Sequence, residues 1–119
     1  MAVLCNVQEY KLGEIMAVGD VVFGSVVNTN SSVNLQPSGS SVYMITIISA
    51  YNDGTHSAGA NLIDTTNSNN SVSILNTTSN RVPVLVQGKI FISNSLYLQI
   101  WDSNSGIGNN VICSGIQVR

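Results

Sequence analysis

Charge is what this 119-residue chain has least of: charged residues make up 8%, against about 25% in an average soluble domain. The basic residues are Lys11, Arg81, Lys89 and Arg119, and six acids outnumber them. Four scattered cations make no basic stripe, so the phosphate neutralisation that nucleic-acid binding requires is set aside. Titratable chemistry is equally thin, with one histidine, His56, and the acids Glu9, Glu14, Asp20, Asp53, Asp64 and Asp102. Nucleophilic catalysis needs a base beside a Ser or Cys, and His56 would have to be that base. No GxSxG elbow occurs, and no two acids form a recognisable glycosidase pair. The reading is a protein that is not an enzyme and needs no cofactor.

Long hydrophobic runs are missing too. The best, Val42 to Ala50, is interrupted by Thr46 and Ser49 and falls short of the ~18 apolar residues that suggest a membrane-spanning helix. The opening MAVLCNVQEYK has no basic segment leading into a long apolar one, so no cleavable signal peptide is expected and synthesis in the cytosol is. Cysteine is scarce: Cys5 and Cys113 are too few for a disulfide scaffold. Two buried free thiols and a bridge between neighbouring first and last strands both stay open, the thiols being favoured in a reducing compartment.

What replaces charge is neutral polarity, with 15 Asn, 17 Ser and 7 Thr. Such side chains compete with the backbone for hydrogen bonds, which disfavours helix interiors and favours turns and exposed strand positions. The length suits one domain. β-Branched runs recur at 14–27, 33–35, 41–51, 60–64, 71–75, 82–87, 89–92, 96–101 and 111–118, separated by turn clusters such as NTNSS, QPSGSS, NDGTHSAG and DSNSGIGNN. Short strands punctuated every ~8 to 12 residues predict an all-β antiparallel sandwich or barrel.

Alternation assigns faces. In LYLQIW, Leu96, Leu98 and Ile100 point one way and Tyr97, Gln99 and Trp101 the other. The preceding strand, 89–92, is joined through Ser93, Asn94 and Ser95 and reads as a hairpin partner. In the 41–51 strand, Val42, Met44, Thr46, Ile48 and Ala50 share one face; Tyr43, Ile45, Ile47 and Tyr51, with Ser49, share the other. Both faces are apolar, and a strand of that kind must be covered on both. Because soluble monomers avoid contiguous apolar patches, the expectation is a subunit interface at Tyr43, Ile45, Ile47 and Tyr51, with Tyr97 and Trp101 on the same surface. A loop or adjacent strand folding over is the alternative.

Other motifs are weak. Asp53 and His56 in NDGTHSAG lack the further ligands that zinc requires, and Asn-Asp-Gly is turn chemistry by itself. No DxDxDG-like series offers a calcium loop. Gly13, Gly19 and Gly24 read as turn and bulge positions. Three Asn-x-Ser/Thr sequons are what an Asn- and Ser-rich chain produces by chance, so no glycosylation is invoked.

The apolar strand 42–50, the SLYLQIW strand and the terminal NNVICSGIQVR strand together give a pattern that resembles the jelly-roll domains of bacteriophage fibre heads and capsid decoration proteins, built like tumour-necrosis-factor trimers. The resemblance runs from about Gly19 onward. It implies a jelly-roll β-sandwich of about eight strands over 19–119 and a homotrimer with the inner sheet near its axis. It also implies a virion location, with other virion proteins or the host surface as partners. Residues 1–18 are then either an attachment arm or the first strand. A second reading is a carbohydrate-binding module. There Trp101 and Tyr97 would stack on a host surface glycan while Asp102, Asn104, Asp53 and His56 supply polar contacts. Neither reading needs a metal, a nucleic acid or a membrane.

Overall fold

A computed structural model describes residues 17–67, 70–77, 83–103 and 108–119. Eight strands occur among the described residues: β1 (Val21–Val27), β2 (Ser32–Leu35), β3 (Tyr43–Tyr51), β4 (Ala58–Asp64), β5 (Ser71–Thr77), β6 (Val84–Ile92), β7 (Leu96–Asp102) and β8 (Asn110–Gln117). They form two antiparallel sheets of four, ordered β1-β8-β3-β6 and β2-β7-β4-β5. Successive strands alternate between sheets everywhere except at the β4–β5 pair, and this order is the doubled Greek key of a jelly roll. The expectation of an all-β, eight-stranded sandwich of this type holds. Residues 1–16, which hold most of the expected arm and Cys5, lie outside the described residues, as does Asn104.

The two inner faces meet in one core. Val22 and Val26 of β1, Ile45, Ile48 and Ala50 of β3 and Val111 and Cys113 of β8 face Leu35, Ala58, Ala60, Leu75, Leu98 and Ile100 of the second sheet. Small Ala58 and Ala60 lie beside large Leu98 and Ile100, so the layers interdigitate. Burial pushes the Cys113 thiol up to about 11, so it stays protonated and unreactive at neutral pH.

Three sequence expectations are corrected. β6 and β7 do not form a hairpin: β6 pairs with β3 in the first sheet, β7 with β2 and β4 in the second, and 93–95 arches between the sheets. Both strands send aliphatic side chains into the same core from opposite sides, which a hairpin and an arch satisfy equally well. The runs expected at 82–87 and 89–92 are joined in β6, Val84–Ile92, since exposed Gly88 passes through without a break; residue 82 lies outside the described residues. Gly24 is neither turn nor bulge. It is a core-facing position of β1 where an added Cβ would lie 2.4 Å from Leu35 Cδ1, so the leucine fills the glycine's place.

The largest correction concerns β3. Its pairing with β8 slips between Ile45 and Ile47, where Gly115 and Ser114 stand opposite. Thr46 is the extra residue of a bulge, and a bulge reverses the facing of everything beyond it. Ile45 and Ile48 therefore point the same way, both fully buried, and Tyr43 packs against the core with them. Tyr43, half-buried, and Ile45, fully buried, thus lie on the core side of β3 and not on the outer face where the sequence pattern put them. The outward face of β3 is Met44, exposed Thr46, Ile47, Ser49 and Tyr51.

Candidate functional site

With the bulge in place, the outer face of the first sheet reads in rows across four strands. Val21, Ile116, Met44 and Phe91 form one uninterrupted apolar row. Phe23, Ser114, Ile47 and Gln87 form the next, followed by Ser25, Ile112, Ser49 and Leu85. Val27, Asn110 and Tyr51 close the face. Phe23 is 62% exposed, Phe91 54% and Val21 68%. Leu85, Val27 and Ile112 are exposed as well. These six side chains leave on the order of 600 Å² of apolar surface in water, the top of the range for a soluble monomer's largest patch. Half-buried Met44, Ile47, Ile116 and Tyr51 extend it. One charged residue, Lys89, lies on the edge strand of this sheet, where a charge discourages further strand pairing.

Of the interface residues expected from sequence, Ile47 and Tyr51 thus lie on this face. Tyr97 does not: with Trp101 it sits on the outer face of the opposite sheet. Val21, Phe23, Phe91, Ile112 and Ile116 went unnoticed, although VVFGSVV carries apolar residues at both parities and so held the same signal that singled out β3.

Of the polar residues expected to bind ligand, Asp53, His56 and Asp102 occupy the end of the sandwich where residues 28–31, 52–57, 103 and 108–109 gather. There they hold loops. Asp102, buried, accepts hydrogen bonds from Asn30 N at 2.7 Å, Thr29 N at 3.2 Å and Thr29 Oγ1 at 3.3 Å. Asp53 Oδ1 accepts from the backbone N–H of His56 and of Thr55, each at 2.8 Å, and Oδ2 contacts His56 Nδ1 at 2.9 Å. The His56 and Thr55 N–H groups, with the His56 ring, draw the Asp53 carboxyl down to about 2, because hydrogen bonds to a carboxylate favour its charged form. Two residues not singled out from sequence do as much. Asn109, fully buried, accepts from Asp53 N at 2.9 Å and donates from Nδ2 to Ser57 O at 3.0 Å. Asn52, equally buried, accepts from Gly54 N at 2.8 Å. No group of three metal-ligating side chains converges among the described residues.

At the other end lies a shallow cleft of about 440 Å³ lined by Leu62, Asp64, Asn70, Ser71, Val72 and Leu96. Its carboxylate is committed, since Asp64 Oδ1 accepts from Thr66 Oγ1 at 2.7 Å and Thr66 N at 2.9 Å.

Fold and surface together define an eight-stranded jelly-roll sandwich with one apolar outer sheet face. No protein-family model matches the chain, and no curated protein matches it.

Proposed function

We propose that this chain is a non-enzymatic structural protein of a virion, an oligomeric capsid-decoration or fibre-head module whose copies pack through the outer face of the β1-β8-β3-β6 sheet. The observation that carries the reading is the row Val21, Ile116, Met44 and Phe91 with Phe23 beside it. A face of this composition costs free energy in water, at roughly 25 cal/mol per Å² of apolar area left uncovered. Its ~600 Å² approaches the ~800 Å² that each partner contributes to a standard stable interface. Copies of the same chain are the simplest cover, since closed symmetry satisfies the patch on every subunit at once. The virion assignment rests on the resemblance of the strand pattern and on the neutral polar coat, and it suits a module that assembles and binds without chemistry. A trimer places this sheet inward and the β2-β7-β4-β5 sheet outward.

Light scattering behind a sizing column tests the assembly. A species of three 12.6 kDa chains is expected, with Phe23→Asp plus Phe91→Asp reducing it to a monomer that keeps its β-sheet circular dichroism. A wild-type monomer across micromolar concentrations would sink the reading.

A further inference from the structure

We propose that the outer face of the β2-β7-β4-β5 sheet is a binding site for a neutral oligosaccharide. The two outer faces of this sandwich differ in kind. On this one the register sets Asn34, Gln99, Asn61 and Ser73 in a single row across all four strands. The next row is Ser32, Trp101, Gly59 and Asn76, and on the other side Tyr97 lies across from Ile63 and Ser71. No outward position of these strands carries a charge.

Two partly exposed aromatic rings, Tyr97 and Trp101, therefore flank Gln99 along one strand. Four residues apart at a rise of ~3.3 Å each, they stand about 13 Å apart, a length suited to several linked sugars and not to one. The indole is seated on the sheet: an added Cβ at Gly59 would lie 2.9 Å from Trp101 Cζ2. The backbone oxygen of Leu75 on β5 would be met as well, so glycine here admits both the neighbouring strand and the indole. Trp101 Nε1 is buried and has no acceptor among the described residues, so packing, and not a hydrogen bond, holds the ring. Between the rings, Gln99 Nε2 donates to Asn34 Oδ1 at 3.1 Å, which leaves Gln99 Oε1 to accept and Asn34 Nδ2 to donate outward.

This array fits sugar chemistry. A pyranose has an apolar C–H face that packs on an aromatic ring and a rim of hydroxyls that both donate and accept. Amides beside aromatics answer both, and the absence of charge favours a neutral glycan over a sialylated or sulfated one. The same absence disfavours nucleic acid, which needs cations. In an assembly closed through the opposite sheet, each copy would carry this face outward, and several weak sites would act together on a glycan-bearing surface.

Trp101 is the only tryptophan, so its emission reports on this face alone. The full chain is screened on a printed array of neutral, sialylated and sulfated oligosaccharides, and hits are titrated by Trp101 fluorescence. A neutral oligosaccharide giving a saturable emission change is expected, with Gln99→Ala and Asn61→Asp each weakening it at least ~10-fold at unchanged melting temperature and solution mass. Absence of neutral hits, a response confined to acidic glycans, or undiminished binding by both variants overturns the proposal. Solution mass is read separately, so failure here leaves the assembly reading standing, and a monomer that still binds separates the two in the other direction.

Discussion

Single side chains decide how the loop end of the sandwich is held, and two aspartates act there by different routes. Asp102 is buried and accepts three hydrogen bonds from Thr29 and Asn30. Removing this buried acceptor leaves three donors on exposed Thr29 and Asn30 that water can partly satisfy, so Asp102→Ala is expected to cost about 1–2 kcal/mol in urea unfolding. Asp102→Asn, which keeps one acceptor, should cost less. A change within ~0.5 kcal/mol would mean that the clamp on 29–30 adds nothing to stability. Asp53 is different because it titrates. Its folded value of about 2 lies below the ~3.9 of an unfolded aspartate. The stabilisation is therefore present above about pH 4 and lost as pH falls toward 2. Asp64 is lowered in the same direction by the Thr66 hydroxyl and N–H and adds to the same acid loss. Melting temperatures from pH 5 to pH 2 should fall, and Asp53→Asn should melt lower than wild type at pH 5 with the gap closing by pH 2. A constant gap across that range would remove Asp53 from the acid response.

At the scale of the strand, glycines set the geometry that side-chain patterns do not. An added Cβ at Gly115 would lie 2.0 Å from Met44 O and 2.8 Å from Ile45 Cα. Backbone cannot move aside there without breaking the β3–β8 ladder at its bulge. Gly115→Ala is expected to cost about 3 kcal/mol or more. Gly24→Ala should cost less, about 1–2 kcal/mol, because its nearest obstacle is the end of the Leu35 side chain. Gly88→Ala has open space and should be neutral or stabilise by up to ~1 kcal/mol through the unfolded chain. Chemical unfolding of the three variants checks the order, and a Gly115 variant as stable as wild type would remove the close approach as the reason for the glycine.

The same bulge marks where sequence reading stops. Strand positions were legible because β-branched runs alternate with Asn, Ser and Gly clusters. The parity of β3 was not, because the slip at Thr46 depends on Gly115, some seventy residues away in sequence, and no local pattern reports it. Nor was the sheet to which β6 belongs, since a three-residue hairpin and a three-residue arch read alike. Asn52 and Asn109 were hidden by abundance: with 15 asparagines, nothing local separates the buried pair, one turning its own loop and the other bridging to it, from those that coat the surface. Tyr97 and Trp101 were legible as a pair. Gln99 and Asn34, which complete their surface, became visible only through the register.

For the whole molecule, the two outer faces differ in polarity, apolar on β1-β8-β3-β6 and neutral polar with two aromatics on β2-β7-β4-β5. An assembly held by the first face has a thermodynamic signature of its own. Because association stabilises only the folded chain, the melting temperature should rise with protein concentration by mass action. Because the rows through Val21, Phe23 and Ile112 carry no charge, raising sodium chloride from 0.1 to 1 M should not dissociate the species, whereas an ion-paired interface would weaken as the Debye length shrinks from ~10 to ~3 Å. Phe23→Asp with Phe91→Asp should remove the concentration dependence and leave a lower, constant melting temperature. The core residues Ile45, Ile48 and Val111 are untouched by that pair, so the monomer should still unfold in one cooperative step. A wild-type melting temperature independent of concentration, or a species that salt alone dissolves, would place the cover of this face somewhere other than a second copy of the chain.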